Sequence, residues 1–188
     1  MRWDRLFDDL QAQLAAADAA EVAGELTERT RLELSRLTLA DRLLAWVGQP
    51  LAVHPRVGPT LSGELRDVGP DWLLVGGVAV TLVPARAVTS LSGLGVGAVP
   101  AGHGLAARRY GLSAVLRAVA RDRSPVRVLL TDGAVLTGTV DAVGADHLDL
   151  AEHAPDLARR RQAVRAVRVV PFAALVTVQP APGTTSLG

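Results

Sequence analysis

The sequence predicts a mainly β protein of the α+β class, in which an N-terminal helical segment precedes two repeats of one small unit. Each unit is expected to be a short helix followed by a five-stranded barrel. Three observations support this prediction: self-similarity at a fixed offset, short strand patterns separated by glycines, and helical periodicity near the N-terminus. The predicted divisions are 1–36 (N-terminal helical segment), 37–91 (first repeat), 92–111 (Gly-rich linker), 112–178 (second repeat) and 179–188 (disordered tail).

An internal repeat is the strongest of these observations. Residues 50–75, moved forward by 75 positions, align with residues 125–150 without a gap, and nine of the 26 positions are identical. Self-similarity at one offset indicates a duplicated structural unit. The identical pairs are mostly glycines and aliphatic residues: Pro50/Pro125, Val53/Val128, Gly58/Gly133, Leu61/Leu136, Gly63/Gly138, Val68/Val143, Gly69/Gly144, Asp71/Asp146 and Leu73/Leu148. The repeat therefore predicts an architecture and contains no set of reactive side chains.

Short strand patterns follow one another in the same order in both copies. The second copy predicts strands at 126–130, 134–144, 147–153, 163–171 and 175–179. Asp132-Gly133 is a tight-turn dipeptide, and Gly138 permits a sharp bend within a strand. Five short, bent strands bury both faces most simply by closing, which predicts a small barrel. The fourth and fifth strands, within 78–91 and 163–178, are candidate edges for pairing with another chain or between the two copies.

Helical periodicity marks residues 3–23 and the segment before each group of strands. Trp3, Phe7, Leu10 and Leu14 recur at spacings of four, three and four, which places them on one face of a helix. Two interpretations of this face stay open: packing on the protein's own barrels, or docking of a partner or a second copy. Short helices are also predicted from near Thr38, which has the form of a capping box, and from near Ser113.

Composition narrows the class of function. The 188 residues are 49% hydrophobic but only 3% aromatic, so the expected cores are aliphatic. All 20 basic residues are Arg, and Lys, Ile, Asn and Cys are absent, a bias typical of a GC-rich genome. A net charge of +1 does not indicate a binder of bulk polyanions, and the lack of cysteine excludes disulfides and thiolate metal sites. With no signal-peptide pattern and no stretch long enough to span a bilayer, we expect a cytoplasmic protein without membrane contact.

A family resemblance accompanies the repeat. The positions that carry it are mostly apolar and turn residues: Val126, Val128, Leu130, Asp132, Gly133, Gly138, Val140, Val143, Leu148 and Leu150. Through them the chain resembles tandem Sm-like proteins of the kind found in high-GC bacteria, closely over 112–178 and more loosely over 37–91. The resemblance implies SH3-like five-stranded barrels, each with an N-terminal helix. Sm-like proteins bind RNA through an Arg-Gly or Lys-His type motif before the last strand, where this chain has Pro84-Ala85 and Pro171-Phe172.

No pattern typical of catalysis, of a cofactor site or of a metal site emerges. Residues 93–98 formally fit G-x-G-x-x-A, but the dinucleotide fingerprint must open a helix, and Pro100 with further glycines follows. The acids and histidines at 146–153 would be divided between the two faces of a strand. We therefore predict a non-enzymatic binding or assembly protein without cofactor or small-molecule substrate, whose partner is another protein or a second copy.

Nucleic-acid binding is the alternative function. Five arginines with no acid among them fall within ten residues, in and after a 12-residue insertion that only the second copy has: Arg159, Arg160, Arg161, Arg165 and Arg168. Such a cluster can hold the phosphates of RNA or DNA. The other interpretation is a solvated loop balanced by nearby acids. A helix-turn-helix over 105–123 is a further nucleic-acid hypothesis, although strands follow it directly where a third helix is expected.

Overall fold

A computed structural model describes residues 35, 37–95, 110–154 and 164–182. Helix α1 spans Leu39–Leu44, and helix α2 spans Leu112–Asp122. Two 3₁₀ turns, Ala85–Ala87 and Phe172–Ala174, connect strands. The strands are β1 (Pro50–Pro55), β2 (Leu61–Val68), β3 (Trp72–Val75), β4 (Thr81–Pro84), β5 (Val88–Ser92), β6 (Val126–Leu130), β7 (Val135–Val143), β8 (His147–Glu152), β9 (Ala166–Pro171) and β10 (Leu175–Pro180).

All ten strands form a single antiparallel sheet with the order β5-β1-β2-β3-β4-β10-β6-β7-β8-β9. The prediction of two repeated helix-plus-barrel units is therefore wrong. The copies join where β4 pairs with β10, with Leu82 opposite Val178. The two helices of the described part are also unequal, with six and 11 residues. The physical reason is that a strand pattern in the sequence indicates pairing with neighbouring strands but does not identify them. Here the neighbour of β4 comes from the other copy.

Strand positions, in contrast, are close to the predictions. Strand β6 spans the predicted residues 126–130, and the bounds of β7 to β10 differ from the predicted ones by three residues or fewer. Of the two alternatives for the candidate edges, the structure shows pairing between the two copies, through β4 and β10. The strands of each copy also follow the same order in the sheet, fifth-first-second-third-fourth. This order is β5-β1-β2-β3-β4 in the first copy and β10-β6-β7-β8-β9 in the second.

Two of the repeated glycines lie where strands pass too close for a side chain. A Cβ atom added at Gly138 of β7 would overlap the backbone carbonyl oxygen of Ala151 in β8. The equivalent Gly63 of β2 faces the carbonyl oxygen of Gly76 in the same way. Because the obstructing atoms belong to the backbone, rotation of a side chain cannot relieve the overlap. The internal repeat keeps glycine at these positions for the close approach of two strands.

Two aliphatic cores lie within the unit Leu39–Gly188, and each contains residues from both copies. The first core is built mainly from β1–β4 and includes the fully buried Val176 of β10. The second core is built mainly from α2 and β6–β10 and includes Trp72 and Leu82 of the first copy. Removal of these apolar side chains from water is the main stabilising contribution on both sides. Because each core contains side chains from both copies, the two copies fold as one unit.

Across the described ranges, no helix is long and apolar enough to cross a membrane. The same ranges contain no group of three or more His, Cys, Asp or Glu residues placed to hold a metal ion.

Candidate interaction surface

The contact between β4 and β10, called the copy joint below, shows how one copy of the unit receives a strand from the other. Leu82 is 4% exposed and Val178 is 3% exposed, because both side chains pack in the second core. Strand β10 also pairs with β6 on its other side. The copy joint is thus an interior part of the sheet, formed by the fourth strand of one unit and the fifth strand of the next.

Beside the copy joint, Asp71 in the turn before β3 and Trp72, the first residue of β3, bond to the segment at the start of α2. Asp71 accepts a hydrogen bond at Oδ1 from the backbone N–H of Leu112, at 2.8 Å. The indole Nε1–H of Trp72 donates to the carbonyl oxygen of Tyr110, at 2.7 Å. An acid that accepts from the first N–H of a helix satisfies a donor that the helix itself leaves unpaired. The first copy thereby holds the start of α2, which belongs to the second.

Replacement of Asp71 by Ala should destabilise the protein by about 1 kcal/mol, because the N–H of Leu112 loses its acceptor. Thermal unfolding should show a midpoint that is lower by roughly 2–4 °C. The repeat supplies the matched control, Asp146→Ala, which removes the equivalent carboxylate from an exposed turn and should change the midpoint much less. Equal effects of the two replacements would contradict a role for Asp71 in holding the start of α2.

The sheet ends in two strands that are open on one side. Within the described residues, β5 pairs only with β1 and β9 only with β8, so each leaves a row of backbone N–H and C=O groups on its outer side. We call these two strands the open edges. Strand β9 also exposes two valines on one face, Val167 (59%) and Val169 (66%). An exposed apolar edge strand is a template for pairing with a further strand.

The open edges are equivalent by sequence to the two strands of the copy joint. Moved forward by 87 positions, Val83-Pro84 aligns with Val170-Pro171, which places Leu82 on Val169 and Leu91 on Val178. Leu82 is 4% exposed and pairs with β10, whereas Val169 is 66% exposed in a strand whose outer side is open. Leu82 is buried in the second core with Leu112 and Leu116 of α2, whereas Val169 belongs to neither core. The two ends of the sheet are therefore a fifth strand, β5, and a fourth strand, β9, which are the two kinds of strand that pair in the copy joint.

The predicted arginine cluster is only partly within the described residues. Arg159, Arg160 and Arg161 lie outside them, as do Trp3, Phe7, Leu10 and Leu14, so neither predicted set is tested. Arg165 is exposed next to the open edge of β9. Arg168 lies on β9 and donates from Nε to a carboxylate oxygen of Glu152, at 3.1 Å. This pair offsets part of the positive charge that a phosphate would need.

The remaining titratable candidates have structural roles. Asp146 accepts a hydrogen bond from Nδ1 of His147, at 2.9 Å, and this bond lowers the pKa of Asp146 below its ordinary value. His153 is buried and bonds to the hydroxyl of Thr139 and the carbonyl oxygen of Ala154, both at 2.8 Å. A buried histidine whose two ring nitrogens are both hydrogen-bonded is satisfied in place.

The helix of the proposed helix-turn-helix is part of the second core. Leu112 and Leu116 on α2 are buried in that core, and the helix packs against β7. Arg117 and Arg121 lie on its exposed surface. Residues 105–109, which would supply the first helix of the motif, lie outside the described residues, so the motif itself stays a prediction.

Sequence reasoning placed the edges but did not identify Asp71, Trp72, Val167 or Val169 as interaction residues. One signal was present: Asp71 and Asp146 repeat at a turn, where an acid has no need to recur for packing.

In comparisons with known proteins, no family model matches the chain, and no curated protein is significantly similar to it.

Proposed function

We propose that this protein is a non-enzymatic binding and assembly protein of the cytoplasm that receives a protein strand at the open edge of β9. The observation that supports this proposal most directly is the exposure of Val167 and Val169 on the outermost strand of a ten-stranded sheet. Backbone groups along such an edge supply affinity for an added strand, and alternate side chains supply specificity.

The internal copy joint supports the same mode of binding. There, pairing of β4 with β10 places Leu82 in an apolar core that contains residues of both copies. An equivalent strand at the end of the sheet has the same backbone and a similar apolar side chain, Val169, at the corresponding position. An added strand would remove part of the exposed apolar surface of Val167 and Val169 from water, at about 25 cal/mol per Å² of apolar area buried. The edge is therefore suited to hold a protein segment in an extended conformation.

Nucleic-acid binding through the arginine cluster is the competing function. Arg168 is paired with Glu152, and the described part of the cluster consists of Arg165 and Arg168 alone. Phosphate binding would depend on arginines that are free to replace counterions, with affinity that falls steeply as salt rises. The test of the proposed function must therefore distinguish protein adducts from nucleic-acid adducts.

The test places a photoreactive amino acid at Val169 and, in a second variant, at Val135. Val135 is also an exposed valine, but it begins β7, which pairs on both sides. On irradiation in cells, position 169 should give a discrete protein adduct that position 135 does not give. Addition of Val167→Lys in the same chain should abolish the adduct, since a charge on an edge strand opposes pairing.

Two results would overturn the proposal. Adducts at position 169 that consist of RNA or DNA would replace it with the nucleic-acid function. Equal yields of protein adduct at positions 169 and 135 would show that the edge of β9 has no binding role.

A further inference from the structure

We infer that a cleft between the two copies binds a small aliphatic carboxylate, whose charged end is held by Arg127. The cleft is lined by residues 60–62, 75–79, 81, 127 and 179–182 and has a volume of about 660 Å³, which suits a small organic molecule. None of the described residues of β9 lines it, so the inference goes beyond the proposed function and concerns a different site. The described lining also contains no histidine or carboxylate to act as a general base, so the cleft holds its ligand unchanged.

Both copies form the walls of the cleft. The first copy contributes the start of β2 and the turn between β3 and β4, and the second contributes β6 and the end of β10. In the sheet, β3, β4 and β10 lie between β2 and β6, so the sheet curls to bring these two strands to one cleft. The cleft therefore exists because the two copies share one sheet.

Arg127 is the single charged side chain among the described residues that line the cleft. It is exposed on β6 and lies opposite Gln179 of β10. Within the described part of the chain, its guanidinium has no hydrogen bond and no ion pair, so its N–H donors are available to a ligand. The planar fork of a guanidinium matches the two oxygen atoms of a carboxylate.

Neutral polar groups surround this guanidinium. The hydroxyl of Thr81 donates to Oε1 of Gln179, at 3.5 Å, which leaves the amide N–H groups of Gln179 to donate to a ligand. Thr60 and Ser62 add hydroxyls from the first copy. Because these groups are uncharged, the cleft has one positive charge. A carboxylate balances that charge, whereas a phosphate monoester brings a charge of about −1.5 to −2.

The remaining lining indicates the body of the ligand. It is mostly aliphatic and includes Leu61, Val75, Val78, Pro180 and Pro182. Val78 is fully exposed in the turn between β3 and β4, so a bound aliphatic chain would remove apolar surface from water. The described lining contains no aromatic side chain on which a nucleobase could stack. An aliphatic acid therefore fits the cleft better than a nucleotide does.

The repeat shows that the sheet does not require the guanidinium. In the second copy Arg127 lies opposite Gln179, and at the equivalent place in the first copy Ala52 lies opposite Ser92. The two strand pairs have the same register, yet one forms with alanine where the other has arginine. The charge and the amide are thus additions to a shared backbone, and both line the cleft.

Isothermal titration calorimetry of the full chain with sodium octanoate tests the inference. The unmodified protein should bind octanoate. Octan-1-ol has the same aliphatic chain without the charge and should bind about tenfold more weakly or worse, because it cannot form charge-assisted hydrogen bonds with Arg127. Inorganic phosphate and adenosine monophosphate should also bind more weakly than octanoate.

Three variants locate the binding site. Arg127→Ala should weaken octanoate binding about tenfold or more. Gln179→Glu should weaken it similarly, because the new carboxylate lies opposite Arg127 and competes for it. Arg165→Ala is the matched control, since it removes an exposed arginine that does not line the cleft and should leave binding unchanged. Circular dichroism should show that all three variants fold like the unmodified chain.

Nuclear magnetic resonance of the unmodified protein gives a readout that needs no variant. Octanoate should shift the backbone amide signals of Gly76, Gly77 and Gln179, which line the cleft, more than those of β9. Shifts confined to other parts of the chain would overturn the inference even if a variant failed to fold.

The calorimetric outcomes are equally decisive. Loss of octanoate binding in Arg127→Ala, with binding kept in Arg165→Ala, supports the inference. Absence of binding at millimolar octanoate, or equal affinity for octan-1-ol, overturns it. Tighter binding of adenosine monophosphate than of octanoate would replace the carboxylate with a nucleotide. The photoreactive residue at position 169 lies outside the cleft, so its adducts test the proposed function separately.

Discussion

Replacement of Trp72 by Ala should lower the free energy of unfolding by about 3–5 kcal/mol, with the thermal midpoint lower by roughly 6–20 °C. The indole is 5% exposed and lies in the second core although its strand belongs to the first copy. Its Nε1–H also donates to the carbonyl oxygen of Tyr110. The replacement leaves a cavity at the copy joint and an unpaired acceptor beside it, so both copies should lose stability together.

Circular dichroism would measure the midpoint, and amide hydrogen exchange would show which strands lose protection. Exchange should accelerate in β2–β3 and in β6–β8 alike. The matched control is Trp46→Ala, since Trp46 is half-buried at the first core and its Nε1–H donates to the nearby carbonyl of Pro50. Its effect should be smaller. Acceleration confined to strands of the first copy in the Trp72 variant would show that the cores are independent.

Replacement of Gly138 by Ala should destabilise the protein by about 2–3 kcal/mol, because the new Cβ overlaps the carbonyl oxygen of Ala151. Relief requires β7 and β8 to separate, which disturbs their pairing at Gly138 and Glu152. Urea unfolding should give a lower midpoint with little change in slope. Gly63→Ala, at the equivalent position of the first copy, should have an effect of similar size.

Ala142→Val is the control for Gly138→Ala, because it enlarges an exposed residue on the same strand. Its effect on stability should stay within about 0.5 kcal/mol. A Gly138→Ala variant as stable as the unmodified protein would show that the repeated glycine serves some purpose other than close strand approach.

The strands could be predicted from the sequence because their signals are local. Gly138 and the Asp132-Gly133 turn lie within a few residues of the strands that they bound. The prediction that each copy closes into its own barrel was wrong, because the strand that pairs with β4 comes from the other copy and no local signal identifies it. Thr81–Pro84 and Leu175–Pro180 lie far apart along the chain, and their local patterns are equally compatible with pairing inside one copy.

The candidate edge illustrates the same limit at the level of single residues. Residues 163–171 alternate valine with alanine or arginine, a pattern that indicates one buried face. In the structure Val167 and Val169 are exposed, since β9 is the last strand of the sheet among the described residues. Periodicity shows which residues share a face, whereas the position of the strand in the sheet determines whether that face is covered.

The place of β10 in both cores has a consequence for synthesis of the chain. Val176 lies in the first core, and Leu175 and Val178 lie in the second, yet all three belong to β10, which is synthesised after β1–β9. Neither core can close around a nascent chain that stops before residue 175. Long-range pairing of this kind slows folding and prolongs the exposure of apolar surface. Both cores therefore stay incomplete until β1–β9 have been made, and their apolar side chains are available to chaperones until β10 joins them.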